Sequence, residues 1–303
     1  MRNVLVIGTG SIAQRHIINL KKIGYKVSVF SESGNKINKI KNINYLENLK
    51  NLKIFNFVVI ANATNKHLKY LKILIKNKKH VYCEKPIYFK KFNISQIRKD
   101  IIRKNLMVFI GYQLMVHEKI RFLQNKLKNE KINSFIFEVG HDFRKWRKGN
   151  SFKNNYFLND KNGGGVIFEL IHEINLIQNL IGKISFIKTL RKKMNSKHIT
   201  DLAISIVKTK NGCSGILYQD MISPTFFRNY KIVTEKKTYE LDMVNSKLKI
   251  NNKILPFNKR NNSHQELLKN NLILFTKMIK KKSLISFDKG ISDMKIALKM
   301  YEN

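Results

Sequence analysis

No stretch constrains this chain more than its first two dozen residues. RNVLVI at 2–7 is a short apolar run, GTGSIA at 8–13 carries two glycines, and QRHIINLKKIG at 14–24 is an amphipathic stretch that stops at a glycine. Strand, glycine turn and helix in that order open a βαβ unit. There Gly8 permits a tight turn, Gly10 lets a pyrophosphate approach the backbone, and Ala13 is small enough for the helix to lie against the strand. The free N–H groups at the helix start, from Ser11 and Ile12, would meet phosphate oxygens. A glycine turn without a ligand remains the plainer alternative.

The pattern then repeats. KVSVF at 26–30 predicts a second strand, followed by Ser31 and Glu32. An acid at this strand end accepts hydrogen bonds from the ribose diol of NAD, whereas a serine tolerates the extra phosphate of NADP, whose charge Lys36 would balance. Ser31 inclines the reading slightly to NADP, with Glu32 keeping NAD open. FNFVVIA at 55–61 reads as a parallel strand buried on both faces. Short side chains follow it, among them Ala63 and Thr64, and leave room for a cofactor before a helix over 67–77; His67 is either a helix-start residue or a cofactor contact. HVYC at 80–83 predicts the fourth strand, and a helix over 92–104 leads to LMVFI at 106–110. Alternation of this kind specifies a doubly wound parallel sheet of the Rossmann type, placed at 1–115.

Glu84, Lys85 and Pro86 thus fall just beyond a strand's C-terminal end, the edge where such sheets bind ligands. Proline restricts the backbone of Lys85, whose ammonium can hydrogen-bond a substrate hydroxyl and steady developing charge. A solvated lysine before a proline turn is the alternative.

From 116 to 303 the signal changes to an α+β domain with an open mixed, largely antiparallel sheet. A helix over 116–129 and a strand over 132–139 precede a polar and aromatic segment, in which Arg144, Trp146, Arg147 and Tyr156 suit an anionic or sugar-like substrate or else pack as a loop. After Gly163–Gly165, VIFELIHEINLIQNLIG predicts one helix that places Glu169, His172 and Glu173 on one side. His172 can exchange a proton near neutral pH, as oxidation of a hydroxyl requires, with Glu169 or Glu173 orienting it. Alternating runs between 184 and 255 predict antiparallel strands with one covered face, so a homo-oligomer is expected through the other. Helices follow at 263–282 and 290–301, the last able to pack back on the first domain.

Composition sets the outer bounds. Lys and Arg number 59 against 20 Asp and Glu, a formal charge of +39, yet the lysines are spread among Asn and Ile throughout rather than gathered into a nucleic-acid motif. No specific nucleic acid is expected as partner. Two distant cysteines, Cys83 and Cys213, suit a reducing cytoplasm, no apolar run spans a bilayer, and neither HExxH nor a cysteine cluster suggests a metal.

Taken together, GTGSIAQRH at 8–16, ANATNKHL at 61–68, YCEKPI at 82–87, GYQLMVHEKI at 111–120 and GGGVIFELIHEINL at 163–176 resemble the glucose-fructose oxidoreductase, inositol dehydrogenase and rhizopine-catabolism (Gfo/Idh/MocA) family. The resemblance implies an NAD(P)-binding Rossmann domain, a second domain on an open sheet, and hydride transfer at a sugar or cyclitol hydroxyl. Lys85 matches the family's EKP lysine and His172 its helix histidine, the two together holding the reacting hydroxyl. Many members carry an aspartate four residues before that histidine, where this chain has Phe168 and, one position later, Glu169. That variant resembles a branch with a GGGVLLELSHEID-like motif, associated with surface-polysaccharide or nonulosonic acid pathways, whose substrate-facing WRPG segment matches Trp146, Arg147 and Gly149 with Lys148 in place of proline. The competing class is a noncatalytic dinucleotide sensor, which would keep Gly8 and Gly10 without needing both Lys85 and His172.

Overall fold

The computed structural model describes residues 2–145, 159–194, 198–257, 262–280 and 284–302. The chain forms two compact units, Met1–Val116 with Asn261–Ile291 and His117–Arg260 with Ser292–Asn303.

In the first unit the elements run β1 (Asn3–Ile7), α1 (Ser11–Lys22), β2 (Lys26–Phe30), β3 (Asn44–Leu46), β4 (Phe57–Ile60), α2 (His67–Lys76), β5 (His80–Cys83), α3 (Ser95–Arg103) and β6 (Val108–Ile110). All strands pair in parallel in the order β3-β2-β1-β4-β5-β6. Their near-continuous apolar runs follow from burial on both faces, and every residue of β4 is buried. The chain winds outward from β1 to β3, then restarts at β4 and winds the other way. Right-handed crossovers therefore place α1 on one face and α2 and α3 on the other, and a crevice opens beyond the C-terminal ends of β1 and β4. β3 lies within a lysine- and asparagine-rich stretch that gives no strand signal, and its pairing with β2 holds it.

The second unit contains α4 (Glu118–Lys126), β7 (Ile132–Gly140), α5 (Val166–Glu169), α6 (His172–Leu180), β8 (Ile184–Lys192), β9 (Leu202–Thr209), β10 (Ser214–Asp220), β11 (Phe227–Thr234), β12 (Thr238–Asp242), β13 (Lys247–Ile250) and β14 (Lys253–Ile254). Its sheet has the order β14-β13-β12-β11-β7-β10-β9-β8, antiparallel except for the parallel pair β7–β10. Alternation decides the faces: Ala203, Ser205, Val207 and Thr209 of β9 are buried, while Ile204 and Ile206 face outward.

Where the sequence predicts one helix over 166–182, the structure has two. Leu170 leaves helical geometry at φ −102° and ψ 32°. The side-chain amide of Gln219 in β10 donates to the Leu170 carbonyl at 2.7 Å, drawing it out of the helical ladder. Glu169 and His172 consequently sit on separate helices rather than one face of a single helix.

Two further helices close the chain, α7 (His264–Ile279) and α8 (Ile285–Glu302). α7 returns to the first unit, where Leu272 and Phe275 join Val4, Val6, Phe57, Tyr82 and Phe109 in the core. The Phe275 ring stands edge-on to Phe57 at 5.1 Å, and the Tyr82 hydroxyl donates to Asn271 Oδ1 at 2.8 Å. Among the described residues no helix is long and apolar enough to cross a membrane.

Candidate active site

The turn between β1 and α1 has no room for any residue but glycine at its first position. Gly8 donates its N–H to the Phe30 carbonyl at 2.9 Å, has φ +122°, and a Cβ there would stand 2.7 Å from the Ala61 carbonyl oxygen. Gly10 is the reverse case: a Cβ would meet nothing within 4 Å. Gly10 caps α1 with no side-chain hydrogen bond, so the first N–H groups of the helix, including those of Ser11 and Ile12, point from a bare backbone. Ala13 is fully buried against the sheet. A bare helix N-terminus with open space before its glycine fits the phosphates of a dinucleotide.

At the end of β2, Ser31 and Ser33 share a hydroxyl contact at 3.3 Å. Glu32 is engaged by two lysines that sequence reading did not single out, Lys66 at 2.6 Å and Lys69. Hydrogen bonding by Lys66, then by Lys69, lowers its pKa to about 2. Lys36, expected to act as counter-charge here, lies instead 6.0 Å over the Tyr45 ring.

The loops after β4 and β5 are held by buried histidines. Ala63 precedes a single 3-10 turn at Thr64–Lys66, with Thr64 buried. His67 opens α2 and is 1% exposed; its Nδ1 lies 2.8 Å from the Pro86 carbonyl oxygen and its Nε2 3.0 Å from that of Asn62. Burial lowers its pKa. Both ring nitrogens thus face backbone. Glu84, buried, takes a 2.6 Å hydrogen bond from Nε2 of His16 in α1, also missed by sequence reading. Lys85 between them is half-buried, and its peptide to Pro86 is cis.

In the second unit, His172 is the first residue of α6 and buried, and Glu169 ends α5 half-buried. Glu173 is 0% exposed and lies 2.9 Å from the Arg228 Nε, while the Tyr230 hydroxyl donates to Glu173 Oε1 at 3.0 Å. Burial first, then the Glu173 charge, pushes the Tyr230 pKa well up. Gln219 and Arg228 both pair with Val139, so the three stand side by side in one row of the sheet beneath the α5–α6 junction. The signal for Arg228 was present in FRNYKIVT, where strand alternation puts it on the same face as Tyr230 and Ile232. An arginine on a core-facing position needs a counter-charge, and Glu173 provides it.

Arg144 is exposed and its guanidinium is engaged by Asp142 at 2.8 Å, an arrangement that lowers the Asp142 pKa. Trp146, Arg147 and Tyr156 lie outside the described residues.

Residues 2–134 match the profile of the GFO_IDH_MocA family, an oxidoreductase family with an NAD-binding Rossmann fold. No curated protein matches the chain in sequence. Among solved structures, UDP-N-acetylglucosamine 3-dehydrogenase GnnA from Acidithiobacillus ferrooxidans superposes with a TM-score of 0.84 at 18% identity, covering 99% of this chain and 96% of that one. Levoglucosan dehydrogenase in complex with NADH gives 0.82 at 13% identity over 99% and 96%. The WlbA dehydrogenase from Chromobacterium violaceum, in complex with NADH and UDP-GlcNAcA, gives 0.77 at 15% identity over 99% and 92%. These likenesses establish a shared fold along nearly the whole of each chain.

Proposed function

We propose that this chain is, over its full length, an NAD(P)-dependent oxidoreductase of the Gfo/Idh/MocA type that transfers hydride between nicotinamide and a hydroxyl-bearing carbon of a sugar or sugar derivative. One observation carries the reading: the cradle at Gly8–Ala13, bare at Gly10 and set at the switch point of a parallel sheet. The match of residues 2–134 to a family of NAD-binding oxidoreductases supports it.

In this reading Gly8, Gly10, Ser11 and Ile12 hold the pyrophosphate, Ser31 lies by the adenosine ribose, and Ala63, Thr64, His67 and Glu84 form or support the wall toward Lys85. The bound nicotinamide supplies the hydride acceptor or donor. Oxidation removes a hydride from the carbinol carbon and a proton from its hydroxyl, leaving a carbonyl. Lys85 donates a hydrogen bond to that oxygen and steadies the developing charge; His172 accepts the proton, with Glu169, three residues before it at the end of α5, as the assisting carboxylate. Arg144, Trp146, Arg147 and Tyr156 are assigned to the sugar, and Glu173, buried in its pair with Arg228 and Tyr230, is assigned to holding α6 against the sheet. The reverse direction uses the same groups.

NADP is favoured over NAD. Glu32 would select a free ribose diol, but two lysines neutralise it and leave the end of β2 net positive. A sugar or nucleotide-sugar substrate is supported by the structural neighbours, which act on UDP-N-acetylglucosamine and levoglucosan. Surface-polysaccharide or nonulosonic acid biosynthesis is the setting we assign. A homo-oligomer forms through the outer face of the second unit's sheet, where Leu190 pairs with Ile204, and Ile206 with Ile216 and Ile136 beyond it, all exposed.

The test is binding and turnover with NAD(H) and NADP(H) separately, against a panel of sugars and nucleotide-sugars. Turnover lost in both Lys85→Ala and His172→Ala, with cofactor binding kept, is the expected result. Tight binding with no turnover across the panel would favour the sensor instead. Failure to bind either dinucleotide would remove the proposal.

A further inference from the structure

The three residues Glu84, Lys85 and Pro86 are gripped by side chains from two helices that lie on opposite faces of the parallel sheet. α1 connects β1 to β2 in one direction along the sheet and α2 connects β4 to β5 in the other, so right-handed crossovers set them on opposite sides. From α1, His16 hydrogen-bonds the Glu84 carboxylate at 2.6 Å; from α2, His67 reaches the Pro86 carbonyl at 2.8 Å. His16 is 0% exposed, His67 1% and Glu84 5%, whereas Lys85 is half-buried. The segment is therefore fixed on either side of the one residue that retains access to solvent.

The same two histidines tie this segment to the other loops of the crevice. His16 belongs to the helix that the Gly8–Ala13 turn launches, four residues beyond Ile12. The second nitrogen of His67 lies 3.0 Å from the Asn62 carbonyl, one residue before Ala63. His16 also packs edge-on against the Tyr82 ring at 5.1 Å, in the strand that ends at Cys83. A neutral imidazole has a single N–H, so His67 donates to one of these two carbonyl oxygens at a time and can hold either loop. Both rings are buried, and the contacts described for each are with protein groups. His67 holds the backbone at Pro86 and His16 holds the Glu84 side chain, one on each side of Lys85.

We propose that His16 and His67 are positioning residues that set Lys85 from opposite faces of the sheet, so that the phosphate turn, the Asn62–Thr64 loop and the lysine form one rigid frame. The proposal rests on the dinucleotide function above. Preorganised support of this kind governs affinity and rate because misplacement by about 1 Å costs on the order of a hundredfold.

The experiment uses the full-length protein with His67→Phe, His67→Gln, His16→Leu and His16→Gln, measuring NADPH and NADH binding by fluorescence, ADP-ribose binding by calorimetry, and the thermal midpoint of each variant. Glutamine keeps a side-chain N–H donor at either position, and phenylalanine keeps the ring of His67 without one. Expected for His67→Phe is about tenfold weaker binding of the reduced dinucleotide, with ADP-ribose, which has no nicotinamide, bound as by the wild type. His16→Leu, which removes the donor to Glu84, should show the same selective loss, and both glutamine variants should recover to within about threefold of wild type. Unchanged dinucleotide binding in His67→Phe overturns the proposal while leaving the cofactor reading intact. Equal loss for ADP-ribose and the dinucleotide, or a loss that follows the thermal midpoint and that His67→Gln does not restore, overturns it in favour of general support of the fold. A wild-type protein that binds no dinucleotide sinks the function and the frame together.

Discussion

Two glycines two positions apart, Gly8 and Gly10, make opposite demands, and substitution separates them. Gly8→Ala puts a Cβ 2.7 Å from the Ala61 carbonyl oxygen at a φ that side chains avoid, so we expect a loss of about 1–3 kcal/mol in denaturant unfolding. Gly10→Ala meets no protein atom, so its unfolding curve should match the wild type while dinucleotide affinity falls, as read by NAD(P)H fluorescence. A second residue-scale test concerns Glu173 and Arg228. Glu173→Ala strips the counter-charge from an arginine whose side chain is only 15% exposed, and should cost about 3–5 kcal/mol. Adding Arg228→Met should restore much of it; a double variant no more stable than Glu173→Ala would show that the pair is not coupled.

Among the elements, α4 carries a pH-sensitive cap. His117 precedes it and its Nδ1 accepts the Lys119 N–H at 3.2 Å, which requires an unprotonated nitrogen. Burial, followed by the Lys119 charge, lowers the His117 pKa from 6.5 to about 4. The unfolded chain therefore takes up the proton first. The stabilisation is complete above about pH 6.5, declines as pH falls toward 4, and amounts to at most about 3 kcal/mol. His117→Asn retains a capping acceptor without titrating. The difference in unfolding free energy between the two proteins should shift across pH 6.5 to 4 in favour of the asparagine, and parallel profiles would exclude His117 as the source. The α5–α6 break belongs to this scale as well: Gln219→Leu removes the hydrogen bond to Leu170, and circular dichroism should retain the helical content while thermal stability falls.

For the whole molecule the governing feature is an eight-stranded sheet with a row of exposed apolar side chains on its outer face. Ile206 is 64% exposed and stands between Lys188 and Ile216 in register. If a second copy covers this face, Ile206→Asp should shift sedimentation velocity toward the monomer without moving the cofactor affinity; an unchanged sedimentation coefficient would place the contact elsewhere. The charge of +39 argues for running this at physiological salt or above, since repulsion between copies weakens as the Debye length shortens.

The doubly wound sheet was legible because parallel strands buried on both faces must be apolar runs, as RNVLVI and FNFVVIA are, and because glycine at 8 and 10 answers to local backbone geometry. The strands of the second sheet were legible for a related reason, a period of two set by one covered face. What could not be read were the consequences of residues far apart in sequence. β3 exists because β2 offers it a partner, and the predicted helix over 166–182 breaks because Gln219, 49 residues beyond Leu170, takes its carbonyl. Lys66 and Lys69 meet Glu32 across more than thirty positions, His16 meets Glu84 across 68, and Arg228 in β11 meets Glu173 in α6 with three strands of chain between them. Sequence alone determined the elements whose causes are local, namely periodicity, turn chemistry and the glycine turn that launches α1. Tertiary structure decided which charges are paired and which backbone is held, because a hydrogen bond or an ion pair exists only once folding has brought its two partners within about 3 Å.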